Sequence, residues 1–204
     1  MSDKSLSQEK INNLILLYKK GLIKEALVEA EQLIENNPNS FFLHNIYGMI
    51  NMNLKKWNKS IESFSKAIEI KQDYAEAHNN LGVALNNLAH LEKAIESYLN
   101  AIKFKPDYAN AHNNLGSVFN DLGRWEEALE SYSKALGYNP ENNEAYENLI
   151  KLLTFYKPKK ANSNSIVIAN QELQNIKYNY NSNKKITDNE ISNFFKKCNK
   201  IILK

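Results

Sequence analysis

Glycine stands at 48, 82 and 116, a step of 34 residues each time. Histidine keeps that step at 44, 78 and 112, alanine at 67, 101 and 135, and an aromatic ring at Phe64, Tyr98 and Tyr132. A period of this length, with small residues at fixed offsets, marks a solenoid of helix-turn-helix units. No such unit buries its apolar face alone; stacking supplies the core. The registers are 7–40, 41–74, 75–108 and 109–142. Pro38, Pro106 and Pro140 then share one position, where the second unit has Gln72.

Each unit reads as two amphipathic helices. In 75–108 the first is expected over 75–88, with Leu81 and Leu85 one turn apart on one face. The second is expected over 91–103, carrying Ala94, Tyr98 and Ala101. Gly82 has no Cβ, so the second helix can come close. Ala94 and Ala101 allow the same from the other side, and the Tyr98 ring is expected to fill the space between neighbouring repeats. Pro106 ends the second helix, because proline forces its predecessor out of helical geometry. Gly21 and Gly123 mark tight turns between helices.

Leu81, Gly82, Leu85, Ala94, Tyr98, Ala101 and Pro106 resemble the pattern of the tetratricopeptide repeat (TPR) family. Leu115, Gly116, Phe119, Ala128, Tyr132, Ala135 and Pro140 repeat the match. The second unit departs at Ser60 and Gln72; the first has Leu14 for the glycine and Ala30 for the aromatic, while Ala26, Leu33 and Pro38 hold register. The resemblance covers about three quarters of the chain. It implies an all-α, right-handed superhelical solenoid, with four units over 1–142.

Residues 143–180 read as a degenerate fifth unit. Tyr146, Leu149 and Leu153 keep the first-helix pattern; a loop insertion follows, and Ala169, Leu173 and Ile176 restore the second-helix offsets about seven residues late. Residues 181–204 read as a basic C-terminal capping helix. Thr187 and Glu190 form a capping box, and Ile191, Phe194, Phe195, Cys198, Ile201 and Ile202 share one face. That helix could cover the open end of the solenoid. It runs to Lys204, as in the front piece of a longer protein.

Composition narrows the function. The net charge of the 204 residues is +3, too small to imply a polyanion partner for the whole chain. The charge is uneven: from Lys157 onward 10 Lys face 3 acids, so the tail is +7 and the rest −4. A single cysteine excludes an intrachain disulfide. The polar N-terminus has no signal-peptide core, and no apolar run is long enough to span a bilayer. A cytoplasmic compartment is the expectation.

No Gly-rich phosphate loop, HExxH, CxxC or GxSxG occurs, so no catalytic residue, metal site or cofactor is assigned. Histidines in successive repeats stand roughly 8–10 Å apart and cannot share one zinc ion, whose ligands lie at about 2.1 Å. They read instead as packing between the helices of their own unit.

The asparagines are the candidate site. The residue before the repeat's Leu81 or Leu115 is Asn12, Ile46, Asn80, Asn114 and Asn148 in successive units. Asn79, Asn86, Asn87, Asn113, Asn120 and Asp121 are expected on the same surface. An amide offers both a donor and an acceptor. A ladder of them can bond an extended peptide backbone with little sequence preference. It is similar to the asparagine ladder of O-linked N-acetylglucosamine transferases. That resemblance implies a concave inner face holding a peptide at Asn80, Asn114 and Asn148, and it fails at Ile46. The bland alternative is composition, since 32 of the 204 residues are asparagine.

Four or five units, each roughly 10 Å wide, give room for about ten extended residues. Lys10, Lys19 and Lys151 do not reproduce the cationic clamp by which other TPR units hold acidic C-termini. Ile11, Ile15, Phe42, Ile46 and Met49 are expected on the inner side of the first two units, where they could accept apolar side chains or pack on their own second helix. The reading is a non-catalytic module whose partner is a protein or peptide. Two alternatives stay open: the substrate-recognition front of a glycosyltransferase or sulfotransferase, and a nucleic-acid or membrane-surface adaptor working through the tail. The tail's scattered lysines, without arginine, do not favour the last. Sequence leaves oligomeric state unread.

Overall fold

The computed structural model describes residues 8–155, with side chains to residue 152. Among these residues the chain forms nine helices and no strand: α1 (Gln8–Lys19), α2 (Ile23–Asn36), α3 (Phe41–Asn53), α4 (Trp57–Ile70), α5 (Ala75–Asn87), α6 (Leu91–Phe104), α7 (Ala109–Asp121), α8 (Trp125–Tyr138) and α9 (Asn143–Phe155). One helix pair occupies each 34-residue register up to residue 142, and α9 begins the next. The displaced second helix of the fifth unit and the capping helix opened by Thr187 lie outside the described residues, as does Cys198.

The chain divides into two compact units with their border between Pro106 and Asp107. In the first, each helix packs on the next, from α1 on α2 to α5 on α6, and α3 also meets α5. In the second, α7 packs on α8 and both pack on α9.

Every turn inside a helix pair closes in the same way. The backbone N–H groups of Leu22, Lys56, His90 and Arg124 donate to the carbonyls five residues back, at Leu17, Asn51, Leu85 and Phe119, over 2.8–3.0 Å. This bond needs the preceding residue in the left-handed region. Gly21 and Gly123 supply it with φ of +72° and +68°. Lys55 and Ala89 supply it in the other two pairs, each with φ +57°. A side chain there costs about 1–2 kcal/mol. Only two of the four turns therefore carried a glycine signal in the sequence.

The repeating glycine is explained by the ring above it. A Cβ on Gly48 would lie 2.5 Å from Phe64 Cε1; on Gly82, 2.6 Å from Tyr98 Cε1; on Gly116, 2.7 Å from Tyr132 Cε1. The ring expected between neighbouring repeats thus sits on the glycine of its own unit. Burial pushes the Tyr98 phenol well above its usual range and that of Tyr132 up to about 12. Both rings therefore pack as neutral groups near pH 7. The first unit reverses the pair: Leu14 stands in the glycine position and Ala30 in the ring position, both fully buried in one core cluster with Leu33, Leu43 and Ile50. A large side chain on the first helix and a small one on the second fill the same space. The departures at Leu14 and Ala30 are one compensated change.

One core position is less well satisfied. Asn51 is fully buried where the other units have Leu17, Leu85 and Phe119. Its Nδ2 donates to the Tyr47 carbonyl at 2.9 Å, and its Oδ1 has no hydrogen-bond partner among the described residues.

Three substitutions probe this packing. Gly82→Ala should lower the thermal midpoint, corresponding to about 1–3 kcal/mol of overpacking against Tyr98. Gly137→Ala, in α8 with nothing within 4 Å, should raise it, by up to about 1 kcal/mol of helix propensity. Equal shifts of the two midpoints by circular dichroism would refute the ring contact as the reason for the glycine. Asn51→Leu should stabilise by about 1–3 kcal/mol, the cost of burying an unpaired acceptor. A lower urea midpoint for that variant would show that the amide is satisfied.

Candidate functional site

The first helices α3 and α5, and likewise α7 and α9, are joined by side-chain amides. Asn80 Nδ2 donates to Asn45 Oδ1 at 3.0 Å, and Asn148 Nδ2 donates to Asn113 Oδ1 at 3.2 Å. Donor and acceptor are 35 residues apart in both cases. In both cases the asparagine just before the repeat's leucine, Leu81 or Leu149, bonds the first asparagine of the preceding HNNLG-like segment.

The two asparagines of the motif therefore differ in kind. Asn45, Asn79 and Asn113 are 5%, 5% and 2% exposed. Asn79 and Asn113, expected on the open face, are instead covered. Asn80, Asn114 and Asn148 are half-buried. Asn45 also donates toward the Tyr74 hydroxyl at 3.4 Å and lies 3.8 Å from Met49 Sδ; Asn79 Nδ2 donates toward Asn80 Oδ1 at 3.4 Å. Tyr74, Asn45, Asn80 and Asn79 thus form one connected polar row within the compact unit that ends at Pro106. Burial raises the Tyr74 phenol above its ordinary pKa, so at neutral pH it enters this row as a neutral hydroxyl.

An amide carries two N–H donors and an oxygen with two lone pairs. Asn80 and Asn148 each commit one N–H to the neighbouring helix. That bond fixes the orientation of the amide and leaves a second N–H and oxygen lone-pair capacity for another partner.

The remaining candidates are more local. Asn12 is exposed and accepts from Gln8 Nε2 at 3.0 Å within α1. Asn87 is exposed and donates to the Val83 carbonyl at 2.9 Å within α5. Asn120 and Asp121 are exposed at the end of α7, and Asn86 is half-buried in α5. Ile46, where the asparagine pattern fails, belongs to the apolar core cluster of α1, α2 and α3. Sequence reasoning missed Asn45 and Tyr74. The signal was present: HNIYG keeps the first asparagine of HNNLG and loses the second.

The histidines act in packing. His44 Nε2 and His78 Nε2 each lie 2.8 Å from the carbonyl six residues back, at Pro38 and Gln72. The His78 ring stacks on Phe104 and the His112 ring on Tyr138, each at 5.4 Å, on the second helix of the same unit. Among the described residues no three His, Cys, Asp or Glu side chains are placed to hold a metal ion, and no helix is long and apolar enough to cross a membrane.

Removing the Asn80 amide leaves the Asn45 oxygen buried without its donor. Asn80→Ala should therefore cost about 1–3 kcal/mol. In a double-mutant cycle with Asn45→Ala the coupling should be about 0.5–1.5 kcal/mol. Strict additivity of the two urea midpoints would show that the pair contributes nothing.

The pairwise helical architecture has counterparts among known proteins. A family model described as TPR repeat matches residues 48–88 and 90–120, and one described as tetratricopeptide repeat matches 109–142. A comparison with curated proteins returned no match. Among solved structures, MamA 41-end from Desulfovibrio magneticus RS-1 is 17% identical, with a TM-score of 0.72 over 91% of this chain and 99% of that one. YrrB, described as a TPR protein with an unusual peptide-binding site, is 18% identical, with a TM-score of 0.60 over 75% of this chain and 79% of its own. The first TPR of Spaghetti (RPAP3), bound to the HSP90 peptide SRMEEVD, is 21% identical, with a TM-score of 0.55 over 56% of this chain and 91% of its own. At these identities the likeness is one of fold. The glycine-ring contacts, the helix pairs and the matched repeats agree: residues 48–88 and 90–142 are built of tetratricopeptide repeats.

Proposed function

We propose that this protein is a non-catalytic interaction module that holds an extended peptide segment along its first helices through Asn80, Asn114 and Asn148. The observation that carries the reading is the oriented amide: Asn80 and Asn148 are each fixed by a bond to the preceding first helix and remain half-exposed. A preorganised amide loses little conformational entropy when it binds. Its spare donor and acceptor suit a peptide backbone, whose own groups alternate in kind. In TPR superhelices the first helices line the concave surface, so Asn80 in one compact unit, and Asn114 and Asn148 in the other, would each lie on the inner face of their own unit. Asn12, Asn87 and Asp121 would extend its polar margin, while the covered Asn79 and Asn113 would act by holding their exposed partners.

Peptide binding is stated for two of the structural neighbours, YrrB and the RPAP3 repeat. The HSP90 peptide of the second ends in acidic residues. Here the comparable face offers neutral amides, which favours reading the backbone over capturing an acidic terminus.

The test is a titration of immobilised ten-residue peptide libraries with wild type and the Asn80→Ala/Asn148→Ala double variant, compared at equal helicity. Loss of two hydrogen bonds should weaken the wild-type binders by about tenfold or more. Asn58→Ala, exposed on the second helix α4 and outside the candidate site, should change little. Unchanged binding by the folded double variant would remove the amides from the site.

A further inference from the structure

The hydrogen bonds of the polar row between α3 and α5 all run one way. Asn79 Nδ2 donates to Asn80 Oδ1, Asn80 Nδ2 to Asn45 Oδ1, and Asn45 Nδ2 to the Tyr74 hydroxyl oxygen, at 3.4, 3.0 and 3.4 Å. Asn45 Nδ2 also lies 3.8 Å from Met49 Sδ. The side-chain oxygens of Asn80, Asn45 and Tyr74 have therefore each taken a hydrogen bond. Two hydrogens are left over. The second N–H of Asn80 and the O–H of Tyr74 meet no acceptor among the described residues. An oxygen with one bond is satisfied in the ordinary way, whereas a donor with none is not. Both residues are half-buried rather than enclosed.

Tyr74 is held in place without using that hydrogen. It stands just before α5, where its backbone N–H donates to the Lys71 carbonyl at 3.2 Å and its carbonyl accepts from Ala77 and His78 at 3.0 and 3.2 Å. Its ring meets Phe41 edge to face at 4.9 Å, and the Lys71 ammonium lies 5.6 Å from its centroid. The same repeat position holds Ser40 before α3 and Asn142 before α9; both cap their helix, accepting from the N–H groups of Leu43 and Ala145. Tyr74 makes no side-chain capping bond. A phenol anchored in this way loses little freedom when it binds. Burial first, and the Glu76 carboxylate second, raise its pKa, so it stays a protonated donor at neutral pH. Lys71 and Glu76, the charges beside it, are opposite in sign, which suits a neutral acceptor rather than an ion.

We infer that the Tyr74 hydroxyl is a binding group of the first compact unit, and that together with Asn80 Nδ2 it holds the carbonyl oxygens of an extended peptide. The inference rests on the peptide-binding reading above and names the part of the peptide that is recognised. Here the carbonyls are read and the N–H groups are dispensable. A segment with substituted nitrogens is therefore accepted, as at proline, which lacks the N–H and keeps the C=O. Tyr74 touches the ligand itself and does not act through Asn45.

The experiment is an NMR titration of the isotope-labelled full chain with two neutral, end-blocked ten-residue peptides. One alternates alanine and serine; the other is the same peptide with every alanine N-methylated. Tyr74→Phe removes the hydroxyl and keeps the ring contacts. It should weaken binding of the first peptide by about fivefold, the value of one neutral hydrogen bond, with the melting midpoint nearly unchanged. In an Asn80→Ala background it should cost about the same fivefold again, because separate contacts to the ligand add. The N-methylated peptide should bind wild type within about threefold of its parent, less than one hydrogen bond. Binding that Asn80→Ala weakens and Tyr74→Phe leaves unchanged overturns the inference and leaves the amide reading standing. No further loss from Tyr74→Phe in the Asn80→Ala background makes Tyr74 a positioning residue and also overturns it. Loss of the N-methylated peptide alone shows that the N–H groups are read and overturns the carbonyl assignment. Binding of neither peptide by wild type defeats the peptide reading, and the inference falls with it.

Discussion

The structure depends first on a ring lying on a bare backbone. Phe64, Tyr98 and Tyr132 lie where a Cβ on Gly48, Gly82 or Gly116 would have to be. That contact sets how close the two helices of a pair can come, and it recurs with the period of the chain. The first unit keeps the total volume by reversing it, with Leu14 on one helix and Ala30 on the other. What is held constant is the filled space between two helices, because interiors tolerate neither voids nor overlap. Residue identity at each position is free to change if its partner changes too.

Pairs held in this way still have to be joined. Part of that joining is apolar, as in the core cluster of α1, α2 and α3. Part is polar, through Asn80 to Asn45 and Asn148 to Asn113. A half-covered amide cannot be left unpaired cheaply, so each bond aligns first helices at a defined register. The same bond orients the surface part of the amide. Architecture and candidate binding face therefore share their atoms, and a substitution at Asn80 tests both. This is why the binding experiments need a folding check beside them.

The helix pairs were legible because they rest on local signals. Periodic apolar residues, proline at unit ends and an even step of glycines gave the helix pairs, and the two helices bounded within 75–108 to about a residue. The turns were legible in part. Gly21 and Gly123 showed theirs, while Lys55 and Ala89 adopt the same conformation under the pull of a backbone bond that no residue type announces. The candidate site was legible as a row of asparagines and misread in detail. HNNLG does not say that its first asparagine is covered and its second half-open. Nor does it say that Asn45, in the imperfect copy HNIYG, accepts from Asn80.

The sequence by itself determined the 34-residue unit, the all-helical architecture and the kinship with tetratricopeptide repeats, since these follow from short-range periodicity and steric need. Only the tertiary structure decided which amide faces a neighbour and which faces outward, that Leu14 and Ala30 compensate each other, and that the Tyr98 ring serves its own unit. Those outcomes depend on groups 16 to 35 residues apart in the chain, brought together by packing. Burial is a property of what lies opposite, and a linear pattern does not contain it.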